Sequence, residues 1–320
     1  MIHIYCSDGR RCEPVEVASE GWTLPANAVW IDLIAPTPEE DRMVERFLSL
    51  SVPTKAEMAE LEASSRLYRE NGATYVTADI IHRGDEDIPA ADPVTFALTG
   101  GPLVTVRYFD PKPFAMMVEK LQREPSACDT GTDVFLHLME AIVDRASDVL
   151  SKNGARVEAV ANHIFTGGRT VGFDRLIGKL GRAQIANARI EQSLSGLARI
   201  FAFAALDPGI EKHPDSREHL RSLTRDAQSL IAHNQSVAAS INFQLSAALG
   251  LINIEQSSII KIFSVAAVAF MPPTLIASIY GMNFQHMPEL AQGWGYPAAL
   301  IAMVVAALLP LAWFRHKGWL

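Results

Sequence analysis

From residue 262 to residue 314 the chain carries no lysine and no arginine, and its one acid there is Glu289. A gap of that length excludes an ordinary solvated surface. It holds two uncharged apolar runs, 262–280 and 296–314, each about as long as the roughly 20 residues a helix needs to cross a bilayer. Cysteine is also scarce. Cys6, Cys12 and Cys128 are an odd number, and in a reducing compartment no disulfide is expected. No cluster of Lys and Arg marks a nucleic-acid surface. A nucleophile elbow, a glycine-rich phosphate loop, an HExxH helix and paired-cysteine spacings are all missing, so an enzyme and a bound cofactor are not expected. The start, Met1-Ile2-His3-Ile4-Tyr5, has no basic leader before an apolar core. No signal peptide is therefore expected, and the residues before the first apolar run should stay in the cytosol. Internal repeats and low-complexity tracts are absent as well.

What is present divides unevenly. The chain has 320 residues, 35.0 kDa, 49% hydrophobic residues and a mean hydropathy of +0.12. That is high for a soluble protein and low for one that crosses a membrane many times. The excess lies at the C-terminus, so the chain reads as a large soluble domain followed by a two-helix membrane anchor. Lys261 precedes the first run, and Arg315 and Lys317 follow the second. By the positive-inside rule both termini are cytosolic and the loop between the spans faces out. The net charge of −8 reads first as a solvated surface and second as a means of gathering cations near a pore.

The first third has α/β texture. Residues 2–5 and 29–34 are rich in β-branched and aromatic side chains and predict strands. Thr37-Pro38-Glu39-Glu40 predicts a helix start with a capping box, running to about residue 50, and a second short helix follows Pro53-Thr54. Asn71-Gly72 predicts a hairpin between 66–68 and 74–81, and Thr99-Gly100-Gly101-Pro102 a second between 94–98 and 103–109. Asp85-Glu86-Asp87 falls on a loop between them, and a helix covers 114–123. From 133 onward the pattern is helical only. One helix runs toward 165 and breaks at Thr166-Gly167-Gly168. A second spans about 174–206 and ends at Asp207-Pro208-Gly209. A third starts near Pro214 and meets no breaker before Pro272-Pro273. Unbroken from 215 to 282, it would be about 100 Å long at roughly 1.5 Å per residue, far more than a bilayer, so most of it projects into the cytosol. Its section 228–256 is poor in charge and rich in Ala, Ser, Asn and Gln, which suits close helix contact.

Within the first span, residues seven apart gather small polar side chains on one face. Ile260, Ala267 and Thr274 form one row, and Ser264, Met271 and Ser278 the neighbouring row. Two readings stand: the face packs against the second span, as small residues do in membranes, or it lines water. The second requires several chains around an axis. Pro272-Pro273 frees backbone carbonyls, either as a packing kink or toward a wet cavity.

The first span ends in Tyr280-Gly281-Met282-Asn283-Phe284, followed by Met287-Pro288-Glu289-Leu290, Trp294-Gly295-Tyr296-Pro297 and the tail Arg315-His316-Lys317-Gly318-Trp319. The Gly-Met-Asn tripeptide in this place, with this loop and two terminal spans, resembles the CorA family of divalent-cation channels, and the likeness of architecture covers the whole chain. The resemblance implies a homopentameric funnel: an α+β cytosolic domain with an α/β amino-terminal part and long helices, then two membrane helices. It divides the chain into a cytosolic α/β domain (1–130), a long-helix region (131–261), a pore-lining span (262–282), an extracytoplasmic loop (283–295), a second span (296–314) and a basic cytosolic tail (315–320). It implies Mg²⁺, with Co²⁺ and Ni²⁺ as further cargo, entering the cytosol down the membrane potential. Gly281, Met282 and Asn283 would be the selectivity filter, with Asn283 meeting the ion through its waters. Thr274, Met271, Ser278, Ala267, Ser264 and Ile260 would line the pore, with Phe263 also low in it, and Glu289 would draw cations to the mouth.

The resemblance also implies gating by Mg²⁺ bound between cytosolic domains by carboxylates. Asp85, Glu86 and Asp87 on one side and Asp226 on the other are the candidates, against the plainer reading of a solvated acidic face. The partners implied are copies of this chain, the lipid bilayer and divalent cations, not nucleic acid. Two alternatives remain. ZntB-like relatives share the architecture, carry zinc and have been proposed to couple it to protons. However, His213 and His219 are six apart and do not share a helix face, and with His233 they read as surface residues. The other alternative is a membrane-anchored cytosolic binding module.

Overall fold

The computed structural model describes residues 1–9, 23–60, 62–124, 128–166, 172–283, 287–288 and 292–318. Among these, the chain forms two compact units, Met1–Leu245 and Ser246–Leu320.

The first unit is built on one sheet. In chain order its elements are β1 (Ile2–Cys6), β2 (Ala28–Ile34), α1 (Pro38–Leu48), α2 (Lys55–Met58), α3 (Ala63–Arg66), β3 (Leu67–Glu70), β4 (Ala73–His82), β5 (Ala90–Leu98), β6 (Leu103–Arg107), α4 (Lys112–Arg123), α5 (Gly131–Thr166), α6 (Phe173–Ala204) and α7 (Pro208–Glu211). Helix α8 (Pro214–Tyr280) begins in this unit and ends in the second, which also holds α9 (Gly295–His316). The predicted cap is present, with Thr37 and Glu40 closing a capping box on α1; Thr54 and Glu57 close a second box on α2.

The six strands run in the order β1-β2-β6-β5-β4-β3. Only β2 and β6 are parallel; the other pairs are antiparallel. Both faces are covered, so strand residues alternate between two cores rather than between core and water. Trp30, Val76, Ala78, Ile80, Val94, Phe96 and Leu103 face one core, which is filled from α4, α5, α6 and the start of α8. Ile31, Leu33, Tyr75, Ala97, Val104 and Val106 face the other, closed by Met43 and Val44 of α1 and Met58 of α2.

Strands β4 and β5 pair over their whole length, His82 opposite Ala90 through Thr74 opposite Leu98. Asp85-Glu86-Asp87 therefore caps a long hairpin; the two expected hairpins and the segment between them form one meander. Across the β2–β6 join, the Arg107 guanidinium clasps both oxygens of buried Asp32, while Trp30 Nε1 donates to Thr105 Oγ1, which in turn donates to Asp32. The start of α5 sits tight on the β5–β6 turn: a Cβ at Gly131 would lie 2.3 Å from the Gly101 carbonyl oxygen.

The charge-poor section of α8 does enter close contact. Asn234 and Gln244 are buried, and Asn234 exchanges carboxamide-to-carbonyl hydrogen bonds with Asn187 of α6 at 3.3 and 3.4 Å. Asn153 of α5 adds a bond to the Ala183 carbonyl. The expected break at Gly167-Gly168 lies outside the described residues.

Candidate functional site

Helices α8 and α9 are the two helices among the described residues long and apolar enough to cross a membrane. Helix α8 continues through both prolines to Tyr280. Its membrane part buries one side, with Val265 and Ala269 inside and Ala266, Pro272, Pro273 and Ile276 half-buried. At about 100° per residue, the six stripe residues fall roughly half a turn from that side. All of them, Ile260, Ser264, Ala267, Met271, Thr274 and Ser278, are exposed. The small polar face is thus not packed against α9 within one chain, which removes the first of the two readings at that level. The proline rings lie on the buried side, which fits a packing role for them.

Thr274 follows the prolines. Its hydroxyl donates to the Phe270 carbonyl at 2.7 Å. That uses the one hydroxyl proton and leaves the oxygen lone pairs outward as acceptors.

The helix ends through two backbone bonds, Gly281 N–H to Ala277 O at 2.9 Å and Met282 N–H to Ile279 O at 3.3 Å. A Cβ on Gly281 would stand 3.0 Å from the Ala277 carbonyl oxygen, tighter than such contacts usually are, which suits glycine. Gly281 also lines a recess of about 500 Å³ with Ala277 and Tyr280 of α8 and Gly295, Tyr296 and Ala299 of α9, so the end of one span lies beside the start of the next. Met282 is 47% exposed, and Asn283, the first residue past the helix-closing bonds, is exposed. Glu289 lies outside the described residues.

The carboxylates of the β4–β5 turn are solvated, with Asp85 59% and Asp87 68% exposed, and both are paired with bases. Asp85 receives Lys152 at 2.6 Å, Arg145 at 3.1 Å and Lys112 at 3.4 Å. The Lys152 hydrogen bond and the Arg145 charge hold it far below the usual carboxylate range. Asp87 faces Arg156 and Arg182. Within one chain these acids pair with bases of α4, α5 and α6. Asp226 is elsewhere, close enough to Asp144 to raise that carboxyl, after burial and the charges of Glu140 and Asp148. Within one chain, Asp85, Asp87 and Asp226 do not form a ligand set among the described residues.

One cluster was missed in the sequence. His137 and Glu140 of α5 meet His219 of α8, with ligand atoms all within 4.8 Å of one another. Its legible part was the i, i+3 spacing of His137 and Glu140, which puts both on one helix face. His219 is half-buried, not a surface residue; burial outweighs the pull of Glu140 and lowers its pKa. Glu140 is opposed by its own burial, but the His137 hydrogen bond and the Lys120 charge keep it below the ordinary glutamate value.

Comparison with known proteins follows the same outline. Residues 25–316 match the family model described as CorA-like Mg2+ transporter protein. The magnesium transport protein CorA of Escherichia coli strain K12 is 33% identical over 297 residues, 92% of each chain. The solved CorA magnesium transporter of Methanocaldococcus jannaschii superposes with a TM-score of 0.80 at 19% identity, covering all of this chain and 98% of that one. The cytoplasmic domain of ZntB from Vibrio parahaemolyticus shares the fold of 79% of this chain, with a TM-score of 0.53 and 10% identity, a likeness of fold alone. With its mixed sheet, long helices and two terminal apolar helices, the chain belongs to the CorA-like Mg2+ transporter family.

Proposed function

We propose that this chain is the subunit of a homopentameric inner-membrane channel that admits Mg²⁺ to the cytosol, with α8 lining the pore and Asn283 ringing its outer mouth. One observation carries the reading: the small polar stripe of α8, exposed on the side away from the helix's buried face, runs toward a helix end that is followed by an exposed carboxamide, Asn283. The transport role of relatives that match over nine-tenths of the chain supports the cargo.

The chemistry follows from how Mg²⁺ holds water. It sheds its inner shell reluctantly and prefers oxygen. The waters point their O–H bonds outward, so a selective ring needs acceptors. Carboxamide oxygens of Asn283 accept those bonds without adding charge, so the ion is recognised and still leaves. Thr274 offers the same kind of oxygen a little over two turns deeper, because its proton is already given to Phe270. Met271, 68% exposed on the same stripe, supplies an apolar ring that closes by dewetting. A thioether is too soft to bind Mg²⁺, so Met282 braces the turn. The membrane potential drives entry: two charges crossing 100 mV gain about 4.6 kcal/mol at roughly 2.3 kcal/mol per charge. Co²⁺ and Ni²⁺, with similar hydrated shells, pass by the same ring. Regulation by Asp85, Asp87 and Asp226 would require neighbouring subunits to bring them together, and Asp85 to exchange its lysine and arginine partners for the ion.

In liposomes holding a magnesium-sensitive dye, the reconstituted protein should take up Mg²⁺ under an inside-negative potential, and Asn283→Ala should abolish uptake. Equal uptake by Asn283→Ala would make the motif structural. Competition by Co²⁺, Ni²⁺ and Zn²⁺, with and without a pH step, separates Mg²⁺ transport from proton-coupled zinc transport.

A further inference from the structure

We propose a second metal site in the first unit, separate from the pore: His137, Glu140 and His219 bind a borderline divalent cation of the zinc class and tie α8 to α5, with the Lys120 ammonium competing for the same donors. The geometry is close to what coordination needs. His137 Nδ1 lies 3.1 Å from Glu140 Oε2, and His219 Nε2 lies 3.9 Å from the same oxygen. Zinc bound at about 2.0–2.1 Å to nitrogen and oxygen spaces tetrahedral ligands about 3.3 Å apart, so rotamer-scale shifts of under about 1.5 Å complete the set. The two imidazole rings already meet edge to face with centroids 5.2 Å apart. All three side chains are partly shielded, at 21%, 45% and 28% exposure.

Lys120 of α4 supports the assignment. Its Nζ lies 2.8 Å from His137 Nδ1 and 3.7 Å from Glu140 Oε2. An ammonium only donates and a carboxylate only accepts. His137 Nδ1 therefore stands between two partners that demand opposite protonation states, and it can satisfy one of them. A metal ion in place of the ammonium removes the conflict, because imidazole and carboxylate then both offer lone pairs to one cation. The Lys120 stem is long and its side chain 35% exposed, so the ammonium can swing out. Beside the cluster is a recess of about 480 Å³ lined by Met116, Met117, Lys120, His137 and Glu140, which gives a water room to take the fourth position.

The donor set names the class of ion. Two imidazoles and one carboxylate suit Zn²⁺, Co²⁺ or Ni²⁺, whereas Mg²⁺ favours six oxygens.

The test is zinc binding by the intact, detergent-solubilised protein in excess Mg²⁺, read by competition with a colorimetric chelator. One zinc per chain should bind. Asn283→Ala should leave that binding unchanged, so failure of the pore reading would not affect this result. His137→Gln and His219→Gln should each weaken binding by more than about a hundredfold, beyond the roughly 10–100-fold that loss of a supporting group costs. Lys120→Met should tighten it, an effect in the opposite direction that a misfolded variant cannot mimic. Cobalt bound by the wild-type protein should give the intense visible bands of a four-coordinate site. No zinc retained against excess Mg²⁺, binding unchanged by both histidine substitutions, or weaker binding in Lys120→Met would each overturn the proposal.

Discussion

If Asn283 rings the pore mouth as proposed, the difference between a carboxamide and a carboxylate there decides how long a dication stays. Asn283→Asp keeps the size and the acceptor oxygens but adds a negative charge from every subunit to the ring. The expected outcome is tighter Mg²⁺ binding with slower uptake, seen as a lower half-saturating concentration and a lower maximal rate in liposomes. Thr274→Val keeps the shape of the side chain and removes the acceptor. It should lower uptake severalfold, less than Asn283→Ala, because one ring of several is lost. A third residue tests the first unit. Cys128 is buried, and burial pushes its thiol up to about 11. The neutral thiol is the form the fold favours. Any contribution to stability is therefore complete below the unfolded value of 9.0 and is lost as pH rises through about 11. Cys128 should resist alkylation at pH 8 in the folded protein and react once unfolded, as mass spectrometry of labelled peptides would show. The residue scale is also where the sequence was least legible. Asp32 and Arg107 are 75 positions apart and meet only because β2 and β6 run parallel. The third ligand of the His137 cluster is supplied by packing of α8 on α5, which no local spacing encodes.

Elements were more legible, because their signals are local. The capping boxes at Thr37 and Thr54 and the turn at Asn71-Gly72, where Asn71 has φ 50° and Gly72 φ 84°, fall where short-range rules place them. The pairing of β4 with β5 was not evident, since the acidic turn between them lacks the residues of a tight hairpin. The parallel β2–β6 join depends on the buried ion pair of Asp32 with Arg107. Asp32→Ala leaves the Arg107 guanidinium buried with its remaining contacts to the Phe109 carbonyl and Asp110. Breaking one side of a buried pair costs about 3–5 kcal/mol. The apparent Tm of the detergent-solubilised protein should therefore fall by several degrees, and Asp32→Val with Arg107→Met should recover much of the loss. If the single substitution leaves Tm unchanged, the pair is not what holds the join.

For the whole molecule, the apolar runs predicted two spans, and α8 and α9 occupy them. Within one chain the far face of α8 stays uncovered, and lipid, a neighbouring copy and water are chemically distinct ways to cover it. The small residues and hydroxyls of Ser264, Ala267, Thr274 and Ser278 suit close helix contact or water, while Phe263, Phe270 and Leu275 on the stripe's flanks suit contact with adjacent copies or lipid. That division of one helix surface is what a shared water-filled axis requires. The direct measurement is a cryo-electron microscopy map of the assembly in a lipid nanodisc with Mg²⁺. Five copies should surround a central opening, with the Asn283 carboxamides converging on the axis and density for a hydrated ion between them. An assembly with no axial opening, or with Asn283 turned toward lipid, would contradict the account.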